Sequence, residues 1–179
     1  VTQGDGNLGV KGKNFEMLFS IAGAGPASLK VNGTEWLWRA PRPAFWRAST
    51  DNDRGCGFPL RAAAWMAADV FVTYNGMKVL EAGPDCVKVQ FQFGIPTVPG
   101  ASAELVYTVE AQGALRVDAV YHGVAGAPEL PCFGVKFETF GPVTRTVWTG
   151  LSGETYPDRY KGGVFAVSYT HLRAHETEL

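Results

Sequence analysis

The stretch "CVKVQFQF", Cys86 to Phe93, decides how the rest of the chain is read. Val87, Val89, Phe91 and Phe93 fall on one side of an extended backbone, and Lys88, Gln90 and Gln92 on the other. Successive side chains of a strand point to opposite faces, so this segment buries one face and wets the other. "LRVDAVY" repeats the pattern, with Leu115, Val117, Ala119 and Tyr121 set against Arg116 and Asp118. "FGVKFE" does so through Phe133, Val135 and Phe137, and weaker versions run through Phe15–Phe19, Ala103–Glu110 and Val143–Trp148. Between them lie "AGAGP", "VNGTE", "EAGPD", "TVPGA", "AQGA", "GVAGAP" and "FGP", all rich in turn-forming residues. Short strands roughly 8–12 residues apart, punctuated by Gly and Pro, predict an all-β fold, an antiparallel two-layer β-sandwich. The single helical pattern is the alanine-rich "LRAAAWMAAD", Leu60–Asp69, with Pro59 where a helix likes to begin. At most one or two short helices are expected.

With 179 residues, 46% of them hydrophobic, the chain is one domain or most of one, with enough apolar mass for a core. Its net charge is −1 and it has no basic block, which speaks against nucleic acid as a partner. No apolar run approaches the roughly 18 residues of a membrane span. No charged and apolar leader opens the sequence, so a cytoplasmic protein without a membrane partner is expected. The first residue is Val1, as expected of a piece of a longer protein. Cys56, Cys86 and Cys132 are odd in number, far apart and without metal spacing, and read as reduced thiols.

The final residues differ in kind. "SYTHLRAHETEL" follows the apolar "GVFAV" with no turn between them. It resembles the translated sequencing-adapter tails found on truncated reading frames. The expected organisation is therefore a sandwich domain over residues 1–167 and a non-native tail over residues 168–179.

The most concentrated chemistry lies in "FWRASTDNDRGCGF", Phe45 to Phe58. Asp51 and Asp53 flank Asn52 there, and farther on Glu154 and Asp158 flank "TYP". Two carboxylates about 5–10 Å apart can split glycosidic bonds. The same residues also form turns held by side-chain hydrogen bonds, and this structural reading stands ahead of the catalytic one. His171 and His175 are four apart, but Glu176 follows the second histidine, so no zinc-protease motif is present and no metal site is assigned. His122 reads as a turn residue after a strand, which leaves no support for a nucleophile–histidine triad and no catalytic residue on this chain. Five tryptophans, Trp36, Trp38, Trp46, Trp65 and Trp148, invite a sugar-stacking reading. Large aromatics dominate sandwich cores, however, and the expectation is burial, with Trp46 and Trp148 packed beneath the polar clusters.

Two motifs occur in a recognisable order. "PRPAFWRASTDNDRGCGF" resembles the "p.fwRApTDND.G" segment that opens the C-terminal sandwich domain of large multidomain bacterial β-galactosidases. About ninety residues on, "VTRTVWTGLSGETYPDRYKGG" resembles that domain's "v.w.G.GP.E.YpDR" signature. The resemblance runs from Gly12 to Val167 and rests on Trp46, Arg47, Asp51, Asn52, Asp53, Trp148, Gly150, Glu154, Tyr156, Asp158 and Arg159. At Ser152–Gly153 the chain departs from the family's Gly-Pro, with one residue fewer before Glu154.

The resemblance implies a large sandwich of the galactose-mutarotase-like kind (a supersandwich), incomplete at its C-terminus. It implies an accessory part of an enzyme that hydrolyses terminal β-D-galactosides with retention, using two glutamates and a magnesium ion on a TIM-barrel domain. A barrel takes about 250 residues in alternating strand–helix units, which this sequence does not contain. The catalytic groups and the cofactor are therefore expected elsewhere, and the chain is expected to be inactive alone. Its implied partners are the remainder of the β-galactosidase, with its barrel, and the β-galactoside bound there. The loop implied at the active-site rim is Gly55, Cys56, Gly57, Phe58, Pro59, Leu60 and Arg61, where two glycines suggest a flexible lid. Two alternatives stay open at this point: a stand-alone carbohydrate-binding sandwich, which needs exposed tryptophans, and an aldose-epimerase-like protein, which needs a catalytic histidine.

Overall fold

The computed structural model describes residues 1–141, 145–152 and 164–171. It consists of two units, Val1–Phe140 and Gly141–Leu179. The first begins with an antiparallel sheet of five strands in chain order: β1 (Thr2–Gln3), β2 (Asn7–Lys11), β3 (Phe15–Ser20), β4 (Gly25–Val31) and β5 (Thr34–Glu35). The β4–β5 hairpin turns on Asn32 (φ 50°) and Gly33 (φ 81°), the two left-handed residues that an Asn-Gly turn supplies. Strand β6 (Leu37–Ala44) leads into three helical segments, α1 (Asp51–Gly55), α2 (Phe58–Arg61) and α3 (Ala63–Phe71). A second antiparallel sheet follows, from β7 (Thr73–Ala82), β8 (Cys86–Gly94), β9 (Ser102–Glu110) and β10 (Leu115–His122), in the order β10-β9-β8-β7. The chain then returns to pair β11 (Gly134–Thr139) with β6. The second unit holds an antiparallel hairpin of β12 (Arg145–Ser152) and β13 (Val164–His171).

The alternation that opened the sequence reading governs the core. Val87, Val89, Phe91 and Phe93 of β8 are buried, as are Ala103, Leu105, Tyr107 and Val109 of β9. From the first sheet Leu8, Val10, Phe15, Met17 and Phe19 join the same core. The Phe19 ring stacks on Phe91 at 6.1 Å and meets Tyr107 at 5.8 Å, so the two sheets pack face to face as a sandwich. Burying one such large apolar side chain stabilises the fold by about 1.5–3 kcal/mol. A one-residue slip would turn a whole strand's set outward, so the register is held firmly.

Several expectations are corrected. Among the described residues the helical segments number three, not one or two, because Asp51–Gly55 forms a helical turn of its own. The expected Leu60–Asp69 helix is divided at Ala62, whose φ of −99° and ψ of 10° end α2 and start α3. In β11 the alternation fails at Phe137, which is 46% exposed. The ladder passes from Lys136↔Arg42 to Glu138↔Arg39, so Phe137 sits in a bulge and has no cross-strand partner. Only Trp65 is fully buried and Trp46 partly so, while Trp36, Trp38 and Trp148 are exposed. Leu37 takes the buried side at the start of β6, and period two then puts Trp36 and Trp38 outside.

Candidate functional site

The motif Phe45–Arg61 lies where the chain leaves β6 and crosses to the second sheet. Its root is aromatic. Phe45 and Trp65 are wholly buried, with rings 5.7 Å apart, and Phe133 and Tyr121 close the cluster at 5.8 and 6.3 Å from Phe45. The indole N–H of Trp65 donates to the Pro128 carbonyl at 3.0 Å, and the Phe45 N–H donates to Asp69 Oδ1 at 2.6 Å. These bonds fix the point from which the polar corner starts, and tie it to α3 and to the β10–β11 connection.

Above this root, Arg47 and Asp53 organise the corner. Arg47 Nη1 and Nη2 donate to the two Asp53 oxygens at 2.6 and 3.2 Å. Arg47 Nε donates to the Pro131 carbonyl at 3.2 Å, and Nη1 also to the Ala48 carbonyl at 3.1 Å. Its guanidinium lies 5.9 Å from the centre of the Phe58 ring, within cation–π range. Asp53 in turn closes a capping box. Its Oδ2 accepts the Thr50 N–H at 2.7 Å, and its own N–H donates to Thr50 Oγ1 at 3.2 Å. These bonds explain why a helical turn forms in a sequence that reads as a simple corner. The Arg47 hydrogen bond, joined by the Thr50 N–H, holds the Asp53 carboxyl well below the usual carboxylate range, against a small opposing effect of burial.

Asp51 faces outward, 99% exposed, and meets only Arg54 at 3.1 Å. One carboxylate of the pair is thus spent on structure and the other lies in water, which favours the structural reading of "TDND". Glu154, Tyr156, Asp158 and Arg159 lie outside the described residues. Gly150 lies within β12, its backbone paired with Ala166. His122 ends β10 with Nε2 3.2 Å from Glu104 Oε1. Among the described residues no group of three His, Cys, Asp or Glu converges in the manner of a metal site. Nor is any described helix long and apolar enough to cross a membrane.

The segment Gly55–Arg61 runs from the end of α1 through Gly57 into α2. Gly55 ends α1 without a positive φ, and the left-handed residue is Gly57 (φ 69°), which precedes α2. Phe58 is buried under Arg47, and Arg61 donates to the Cys56 carbonyl. Leu60, by contrast, is 85% exposed. The segment is a short knuckle, rooted by Phe58 and presenting Leu60.

The whole corner coincides with a stretch shared with known proteins. The chain matches the β-galactosidase small chain family over residues 11–175. It belongs to that family. It is 44% identical to a β-galactosidase small subunit of Latilactobacillus sakei, over 90% of this chain and 57% of that protein. It is 37% identical to a β-galactosidase of Lactobacillus delbrueckii subsp. bulgaricus, over 91% of this chain and 16% of that one. For a β-galactosidase of Clostridium acetobutylicum the identity is 34%, over 93% and 19%. The chain thus spans just over half the length of the small subunit and under a fifth of the two longer enzymes.

Proposed function

We propose that this chain is an accessory domain of a β-galactosidase that hydrolyses terminal β-D-galactosides in the cytoplasm. It packs on a catalytic barrel carried by the rest of the enzyme and sets the knuckle Gly55–Arg61 at the active-site rim. The observation that carries this reading is the corner itself. The family motif is built as a rigid mount, with Phe45 and Trp65 in the core, the Arg47–Asp53 fork above them, and Leu60 held out into solvent. Such a mount suits positioning, since a group that borders a site must be held by packing and supporting hydrogen bonds. The two glutamates of the reaction and its magnesium ion are assigned to the barrel, as the family resemblance implies.

The test is complementation. A β-galactosidase such as that of Clostridium acetobutylicum, deleted for the 168 residues this chain matches, is mixed with the purified full chain and a chromogenic galactoside. Turnover is expected in the mixture and not with this chain alone. Hydrolysis by the chain alone that disappears on Glu154→Gln would overturn the reading.

A further inference from the structure

We propose that the hollow between the β6–β11 ladder and α3 binds a small oxyanion, a phosphate or a carboxylate group, between Arg42 and Lys136. The ladder sets Lys136 directly opposite Arg42. Side chains opposed in an antiparallel pair stand close together, and like charges in that position repel. The next pair along the ladder, Glu138↔Arg39, is complementary, and its two side chains are bonded. Lys136 Nζ also leans to Glu138 Oε1, at 3.3 Å. One carboxylate oxygen therefore already serves two cations. Among the described residues no side chain pairs with Arg42, which is exposed on the same strand.

These groups wall a hollow of about 320 Å³, together with Pro43 and Asp69. Asp69 Oδ1 is turned to the Phe45 N–H at 2.6 Å, so one of its oxygens is already used on the backbone. Three cations, Arg39, Arg42 and Lys136, thus face two carboxylates, each with one oxygen already engaged. An anion between Arg42 and Lys136 would convert the one repulsive pair of the ladder into a two-sided grip. The guanidinium supplies a planar fork and the ammonium a point charge, a combination that suits phosphate or carboxylate oxygens. The hollow has room for a group of that size and for the small molecule that carries it.

The proposal is tested on the full chain by thermal melting and calorimetric titration at fixed ionic strength, with inorganic phosphate and acetate as separate probes. Saturable binding and a rise in melting temperature relative to chloride are expected. Preference for phosphate or for acetate identifies which kind of anion the site takes. Arg42→Gln and Lys136→Gln are each expected to weaken binding by roughly tenfold, as loss of a charge-assisted contact does. Lys78→Gln, an exposed lysine on another sheet, is expected to change nothing. The sign in chloride alone is also diagnostic, since Arg42→Gln removes the repulsion and should raise the melting temperature while it abolishes the phosphate effect. Equal phosphate effects in all three variants, or no saturable binding of either probe to the unsubstituted chain, would overturn the proposal.

Discussion

Arg47 and Asp53 face each other through two hydrogen bonds, 2.6 and 3.2 Å long, and the pair ties α1 to the rest of the corner. The same guanidinium reaches the Pro131 carbonyl on the connection to β11, and the same carboxylate caps α1 through the Thr50 N–H. Arg47→Lys keeps the charge but cannot fork. It is expected to lower the melting temperature by a few degrees and to loosen α1, visible as faster amide exchange at Asp53 and Arg54. Unchanged exchange at those amides would show that the capping box stands without Arg47.

Asp53 also gives the fold an acid-side signature. Its carboxyl titrates below its unfolded value of about 3.9, so it binds its proton more readily in the unfolded chain. Its contribution to stability is complete above that value and is lost as the pH falls through the folded-state value. Glu35 shifts the same way: burial pulls it upward, but hydrogen bonds from Ser28 and from the Leu29, Leu37 and Trp36 N–H groups outweigh that. A comparison with Asp53→Asn separates the two. The gap in denaturant midpoint between the original chain and this variant is expected to be widest near neutrality and to narrow steadily below about pH 4. A gap independent of pH would mean that the Asp53 charge contributes nothing.

Much of this fold could be read from residue pattern, and the reasons differ by element. In β8 and β9 buried positions alternate with partly or fully exposed ones without interruption, because each strand has one face on the core, although Val106 puts an apolar residue on the outer side. The pattern misled at Phe137, where a bulge in the ladder with β6 breaks the period, and a bulge depends on the partner strand rather than on local sequence. Trp36 and Trp38 misled for another reason. Their size argued for burial, while the side taken by Leu37 decided their orientation. At the candidate site the density of Arg, Asp and Asn in "RASTDND" makes a hydrogen-bonded corner legible, but which glycine takes the left-handed backbone is not. Thr50 and Asp53 form a capping box with Asp in place of the usual Glu or Gln, and that variant concealed the start of α1. With α1 recognised, Gly55 falls inside a helix and Gly57 becomes the turning point.

That assignment is directly testable. Gly57 has φ 69°, and a Cβ there would meet only Arg61 Nη1 at 3.8 Å, so the penalty for alanine is conformational rather than steric. Gly57→Ala is expected to cost about 1–2 kcal/mol. Gly55 has a helical backbone and open space where an added methyl would stand, so Gly55→Ala is expected to be neutral or to stabilise by up to about 1 kcal/mol. Chemical denaturation of the two variants side by side decides the matter. The reverse order would place the turning point at Gly55.

Inside the sandwich Tyr107 is wholly buried between Phe19 and Phe91, and among the described residues its hydroxyl has no hydrogen-bond partner. Burial pushes that phenol far above its ordinary range, so it stays neutral at any working pH. An unmet buried hydroxyl costs about 1–3 kcal/mol, and phenylalanine keeps the ring while removing that cost. Tyr107→Phe is therefore expected to raise the denaturant midpoint. A clear loss of stability would reveal a partner for the hydroxyl, such as a buried water.

The rim role turns on Leu60. It is 85% exposed at the tip of a knuckle in which Phe58 is buried, and nothing among the described residues accounts for a leucine there. A substitution at such a surface position changes folding stability by no more than about 0.5 kcal/mol. Leu60→Ser should accordingly leave the melting of the isolated chain unaltered. In an enzyme reconstituted with a catalytic barrel the same change should lower kcat/KM if the knuckle borders the galactoside. Gly57→Ala, which alters the path of the knuckle instead of its tip, should move kcat and KM together, as expected of a segment that shifts during turnover. The two variants thus separate contact from motion. Steady-state kinetics with a chromogenic galactoside, alongside measured affinity between the two chains, provides the readout. If Leu60→Ser leaves kinetics intact but weakens assembly, the knuckle belongs to the interface between the chains. If it changes neither, Gly55–Arg61 has no part at the rim, and the corner serves only to turn the chain from one sheet to the other.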